Sequence, residues 1–157
     1  MANVRRMLLD SNAVDPFVDL YGAFDAAEKA VASGTHEFLY THVNVDELAE
    51  TKDIGRRQHL LIILIALGRL VPTGAFALNY SRLNFSRLSD NPDVVEAVRA
   101  GNLDDTRDAL LAATAAYEKC PLVTNDKRLR NRAMRQEIEV VSTNDLLREL
   151  GFRSSPR

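Results

Sequence analysis

The stretch Pro121-Leu122-Val123-Thr124-Asn125-Asp126 decides the fold. A proline leads into a short apolar run, and three polar residues stop it at once. That pattern suits a short strand buried on both faces and ending in a polar loop. Helical sequence flanks it on both sides: an alanine-rich stretch from Asp105 to Lys119 and a basic one from Asp126 to Arg135. Working outward, Met7-Leu8-Leu9 is a similar run that stops at Asp10-Ser11-Asn12. Phe38-Leu39-Tyr40, the marginal Leu70-Val71-Pro72 and Val140-Val141 supply three further strands. Between them, apolar residues from Phe17 to Val31 recur at helical spacing as one helix, which Ser33-Gly34 closes. Thr41 or Asn44 caps a helix carrying Val45, Leu48 and Ala49; Gly55 breaks it, and Gln58 to Leu67 forms an apolar helix. Tyr80 to Leu88 and Val94 to Ala100 read as two short helices around the turn Ser89-Asp90-Asn91-Pro92, and Thr143 to Leu150 as a closing helix. Strands alternating with helices require βαβ crossovers. The fold class is therefore α/β, with a central parallel sheet covered on both faces.

The chain has 157 residues, 46% apolar and 27% charged, the profile of one globular domain spanning residues 1–157. Twenty basic against twenty-two acidic residues give a net charge of −2, so the chain lacks the global basicity of a simple nucleic-acid binder. Cys120 is the single cysteine, which excludes an internal disulfide and a multi-cysteine zinc site. Met1-Ala2-Asn3-Val4-Arg5-Arg6 opens with no apolar signal-like run, and no signal peptide is expected. The most apolar stretch, Leu60 to Leu67, spans eight residues, where a membrane helix needs about twenty. A cytoplasmic protein with no membrane association is the expectation.

In open parallel sheets, sites form beyond the carboxyl ends of the strands. Asp10 follows the first strand and Thr124-Asn125-Asp126 the fourth. Glu47 lies near the start of the helix after the second strand, and Asp108 in the first turn of the helix that leads into the fourth. Four carboxylates from distant parts of the chain thus gather at one edge. Clustered carboxylates repel one another unless a cation joins them. A hard divalent ion such as Mg²⁺ takes oxygen ligands, one or two carboxylates directly and the rest through waters. Each acid also has a plainer reading: Asp10-Ser11-Asn12 as a polar turn, Asn44-x-x-Glu47 as a helix capping box, Asp105 and Asp108 as acids suited to a helix start, Asp126 as a cap. Their joint placement carries the argument.

These segments resemble the PIN-domain nucleases, and within them the VapC-like toxins. The resemblance rests on Leu8-Leu9-Asp10-Ser11-Asn12, Val45-Asp46-Glu47-Leu48, the run from Asp108 to Ala115, and Leu122-Val123-Thr124-Asn125-Asp126, in the family's order across nearly the whole chain. It implies a three-layer α/β/α sandwich on a central parallel sheet. It also implies that Asp10, Glu47, Asp108 and Asp126 hold Mg²⁺ or Mn²⁺ as the catalytic set, with Asn12 and Thr124 as supporting polar positions. The implied activity is hydrolysis of RNA phosphodiester bonds by an endoribonuclease. The implied partners are RNA, a small antitoxin and a second copy in a homodimer. A housekeeping RNA-processing nuclease and a non-catalytic binding module are the alternative roles for the same fold. The chain departs from the family pattern in three places: the extra acids Asp46, Asp104 and Asp105 beside the motif positions, Leu129 where an aromatic residue is common, and a long stretch from Thr73 to Asn102. Asp105 is kept as a supporting candidate.

The small net charge hides an asymmetry. Residues 122–157 carry eight basic and five acidic side chains, and residues 1–121 carry twelve and seventeen. Lys127, Arg128, Arg130 and Arg132, on the helix after Asp126, are candidates for RNA phosphate contacts, against the reading of an ordinary solvated face. Arg82 and Arg87 with Tyr80 and Phe85 form a weaker candidate, against the reading that these aromatics belong to the core.

Overall fold

The computed structural model describes residues 3–77, 79–82, 84–87, 93–99, 102 and 105–153. Its elements, in chain order, begin with β1 (Arg5–Leu9), a 3₁₀ turn (Ser11–Ala13), α1 (Asp15–Asp19), α2 (Ala23–Ala32) and β2 (His36–Tyr40). Then come α3 (His42–Ala49), α4 (Ile54–Leu67), β3 (Gly68–Leu70), α5 (Asp93–Arg99) and α6 (Thr106–Glu118). The chain ends with β4 (Leu122–Val123), α7 (Lys127–Arg135), β5 (Val140–Val141) and α8 (Thr143–Glu149).

The five strands form one sheet in the order β3-β2-β1-β4-β5, and every neighbouring pair is parallel. Successive side chains of a strand point to opposite faces, and both faces here are apolar. Leu8, Leu39 and Leu122 join the core under α5, α6 and α7. Met7, Leu9, Phe38, Tyr40, Val123 and Val141 join the core under α1, α2, α4 and α8. The result is the expected three-layer α/β/α sandwich. Strand order also fixes where a site can open. From β1 the chain steps outward through β2 to β3, and it later returns to β4 on the other side of β1. The crevice between the carboxyl ends of β1 and β4 is thus the topological switch point.

Four expectations are corrected. The helix read from Phe17 to Val31 is two helices, because Leu20 is extended and Gly22 takes φ 85°, a left-handed conformation that suits glycine. Gly55 does not interrupt the next helix. Asp53 caps α4 one residue before Ile54, its side chain accepting from Arg56 N at 2.6 Å, and the helix runs through the glycine. The third strand lies two residues earlier than read, at Gly68–Leu70, since the chain turns from α4 directly into Gly68. Finally, the described residues between 79 and 87 are not helical: Asn79 and Asn84 both have φ 69°, and Ser86 pairs with Thr73 in an isolated bridge. The turn read at 89–92 and the extra acid Asp104 lie outside the described residues.

One contact fixes this excursion to the layer beneath it. Gly74 N donates to Thr114 Oγ1 at 3.0 Å, and a Cβ at Gly74 would sit 2.2 Å from the Ala113 carbonyl oxygen. Only a residue without a side chain permits that approach.

Candidate functional site

Asp10 is the first residue beyond β1 and is only 5% exposed. Its backbone extends the β1–β4 ladder by one bond, Asp10 N to Val123 O at 2.9 Å, which sets it beside Thr124. Its two carboxyl oxygens are divided between two donors. Oδ1 accepts from Ser11 N at 2.7 Å, and Oδ2 accepts from Thr124 Oγ1 at 2.6 Å. The same threonine hydroxyl accepts from Asp126 N at 3.0 Å, so one side chain aligns two of the four acids. Asn12 closes the loop-to-loop contact, its Oδ1 accepting from Asn125 N at 3.2 Å, and Asn125 in turn accepts from the Thr143 hydroxyl at 2.9 Å.

Glu47 arrives from α3. The capping box read for Asn44 and Glu47 is in fact built one turn earlier, from Thr41 and Asn44. Thr41 N donates to Asn44 Oδ1 at 2.8 Å, and the buried Asn44 amide donates to Leu9 O at 2.8 Å. That amide ties the start of α3 to the end of β1. It also leaves Glu47 free to meet the Ser11 hydroxyl, which donates to Oε2 at 2.7 Å. Ser11 and Asn44 are site-building residues that sequence reading missed; for Asn44, its spacing from Thr41 was the available signal.

Asp126 caps α7 through Oδ1, which accepts from Arg128 N at 2.7 Å and Leu129 N at 3.2 Å. The plainer reading of Asp126 is therefore realised alongside its place in the site. Asp108 stands half-buried in the first turn of α6, and among the described residues its side chain makes no hydrogen bond.

The electrostatics show that these four groups face one another. Burial pushes the Asp10 carboxyl up from 3.8 to about 6; the Thr124 bond opposes the rise, and the charges of Glu47 and Asp126 add to it. Burial pushes Asp108 up to about 7, and Asp10, Asp126, Glu47 and Asp105 all raise it further. Among the described residues none of the four acids has an ion-pair partner. The neighbouring arginines are held elsewhere: Arg107 by Glu50, Arg82 by Asp46, Arg128 and Arg132 by Asp105. Burial without a cation leaves the carboxylates mutually destabilising.

Among the described residues, no three acids, histidines or cysteines close into a ready-made cage. An open set of oxygen donors under mutual repulsion fits a hard divalent ion held partly through waters, and it does not fit zinc.

Asp105 lies near enough to raise Asp108, but its own carboxylate is engaged by arginines. Its side chain, 11% exposed, pairs closely with Arg132 and lies 3.4 Å from Arg128, and these guanidiniums hold its pKa below the usual range. It clamps α6 to α7. The same contacts engage Arg132 and, at 3.4 Å, the exposed Arg128; of the four cations proposed for RNA, Lys127 and Arg130 have no ion-pair partner among the described residues. In the weaker candidate, Arg87 stacks on Tyr117 at 3.9 Å and bonds Glu118 at 2.9 Å, which is a packing role. Tyr80 is half-buried, whereas Phe85 is 40% exposed.

A family model described as PIN domain matches residues 7–135, from within β1 to the end of α7 and through all four acids. The chain belongs to the PIN domain family. PIN domains are nucleases, and they generally use divalent metal ions. Solved structures share the fold. PAE2754 from Pyrobaculum aerophilum superposes with a TM-score of 0.56 at 16% identity, covering 95% of this chain and 98% of that one. VapBC2 from Rickettsia felis, bound to a DNA fragment from their promoter, gives 0.51 at 12% identity over 87% and 98%. VapBC-1 from nontypeable Haemophilus influenzae gives 0.51 at 10% identity over 88% and 98%. Comparison with curated protein sequences gives no match. At these identities the likeness is one of fold, and this PIN domain's site stands on its own residues. No helix among the described residues is long and apolar enough to cross a membrane.

Proposed function

We propose that the protein is a metal-dependent endoribonuclease that hydrolyses RNA phosphodiester bonds as the toxin of a toxin–antitoxin pair. One observation carries the reading. At the switch point between β1 and β4, four acids from four segments face one another with no cationic partner among the described residues, and two of them are pushed to about 6 and 7. In this reading Asp10, Glu47, Asp108 and Asp126 hold Mg²⁺ or Mn²⁺, with Thr124 and Asn12 in support. When bound, such an ion lowers the pKa of water in its shell and offsets charge on the scissile phosphate.

The chain's own residues supply position. Thr124 holds Asp10 and the Asp126 backbone in one frame. Ser11 occupies Glu47 Oε2 and leaves Oε1 to accept a proton from the attacking water. Lys127 and Arg130 contact phosphates flanking the cut, where cations add affinity without sequence choice. The toxin role is supported by the fold shared with the VapBC structures, and it brings with it a small antitoxin, a homodimer and a cytoplasmic site of action.

Two experiments test this. The purified protein is expected to cleave single-stranded RNA in Mn²⁺, with activity lost in EDTA and in Asp10→Asn and Asp108→Asn. Cleavage that survives EDTA or both substitutions sinks the mechanism. Induced expression of wild type, and not of Asp108→Asn, is expected to arrest growth; unimpaired growth with intact cleavage assigns the chemistry to RNA maturation instead.

A further inference from the structure

Arg107 lies directly before Asp108 in the first turn of α6, and its side chain is 31% exposed. Its guanidinium grips Glu50 with two bonds, Nη2 to Oε1 at 2.6 Å and Nη1 to Oε2 at 3.0 Å. It also lines a small notch of about 80 Å³ with Val43, Asp46, Asn79 and Tyr80. The notch therefore opens between α3, which brings Glu47, and α6, which brings Asp108.

The Glu50 pair has the wrong character for a structural clamp. Glu50 is 62% exposed, and an exposed ion pair adds little stability. It is also the C-cap residue of α3, where the helix dipole disfavours a carboxylate. By contrast, the Asp105 carboxylate that holds Arg132 is 11% exposed, so that pair is not open to exchange. What the Glu50 pair does provide is geometry. A planar guanidinium gripping two oxygens of a carboxylate is already set to grip two oxygens of a phosphate.

We propose that Arg107 is an RNA-phosphate-binding residue, and that Glu50 fills its guanidinium fork in the RNA-free protein in place of a phosphate. RNA exchanges one anion for another at a side chain already oriented beside Asp108. The pair also keeps Arg107 off Glu47 until substrate arrives. The inference rests on the proposed RNA substrate and names a group that holds it.

The test is binding of a short, fluorescent, mixed-sequence single-stranded RNA to the full chain in EDTA, where the metal-dependent reaction is silent. Arg107→Ala is expected to weaken binding about tenfold, the size of one charge-assisted contact. It should also reduce the slope of log K against log salt by about 0.7, the value for one phosphate on a single strand. Arg107→Lys keeps the charge without the fork and should fall between. Glu50→Gln is expected to tighten binding a few-fold in wild type and to have no effect in the Arg107→Ala background. Equal affinity in wild type and Arg107→Ala overturns the proposal. So does weakening by Glu50→Gln, which marks a structural pair, or equal tightening by Glu50→Gln in both backgrounds, which marks general charge. Melting temperature and Mn²⁺ affinity, expected to be near wild type in all variants, separate these outcomes from misfolding. If Mn²⁺-dependent cleavage is present while binding ignores Arg107, the inference fails and the nuclease reading stands; if cleavage is absent while binding follows Arg107, the reverse holds.

Discussion

Asp10→Asn should make the metal-free protein more stable while abolishing its activity. In the unfolded chain Asp10 ionises near its ordinary 3.8, and in the fold near 6. The folded state thus binds the proton more tightly. Asp10 favours folding while it is protonated, and that advantage is lost as the pH rises through about 6. Well above this, the ionised group costs the fold up to about 3 kcal/mol, at roughly 1.36 kcal/mol per pH unit between the two values. Asparagine removes the charge and keeps the shape. Its Oδ1 still accepts from Ser11 N, and its amide can donate to Thr124 Oγ1 once that hydroxyl turns. One amide hydrogen stays without a partner, which returns about 1 kcal/mol. A net gain of about 1–2 kcal/mol remains, or about 3–6 °C in melting temperature for a domain of this size. The assay is thermal and urea unfolding in EDTA at about pH 8 and about pH 4.5. The variant should lead at the higher pH, and the gap should shrink between about pH 6 and pH 4 as wild-type Asp10 takes up its proton. Mn²⁺ should raise the wild-type melting temperature and move the variant far less. A variant less stable than wild type at the higher pH, or a gap that does not change with pH, refutes the reasoning.

Ser11→Ala removes the donor to Glu47 and should weaken Mn²⁺ about tenfold, the usual effect of losing an outer-shell partner, with a melting temperature within about 3 °C of wild type; calorimetry reads it. Thr124→Val strips Oδ2 of buried Asp10 and the Asp126 N–H of a partner at once, and should cost about 2–4 kcal/mol by urea unfolding; a loss within error would show that water replaces the hydroxyl. Gly74→Ala drives a Cβ into the Ala113 carbonyl, where backbone must move, and should cost at least about 3 kcal/mol or abolish soluble expression.

The strands were legible because their signal is local. Met7-Leu8-Leu9 and Leu122-Val123 are buried on both faces, so their apolar runs are unbroken, and the polar residue after each marks the edge where the site forms. Their adjacency is not local: nothing within either run says that Leu9 pairs with Val123. Errors arose where two signals competed. Leu20 and Tyr21 continue the helical spacing of their neighbours, and only Gly22 betrays the break. The stretch from Tyr80 to Leu88 reads as a helix, while Asn79 and Asn84, residues that tolerate positive φ, mark turns at its start and middle. The arginine partner of Asp105 was not legible, because 27 positions separate it from Arg132 and only the packing of α6 on α7 brings the two together.

The charges of this domain are sorted, and the sorting explains how an acidic site can sit among arginines. Arg107 is one residue from Asp108, Arg128 is two from Asp126, and Asp46, which Arg82 holds, is next to Glu47. Left to pair freely, these cations would neutralise the cluster and compete with a metal. Three acids outside the set, Asp46, Glu50 and Asp105, engage Arg82, Arg107, Arg128 and Arg132 instead. The inner four keep their negative potential and the destabilisation that comes with it, which an entering divalent ion relieves. The acidic centre thus stands inside a rim of arginines whose charges are held by other acids, an arrangement that the near-zero net charge of the whole chain conceals.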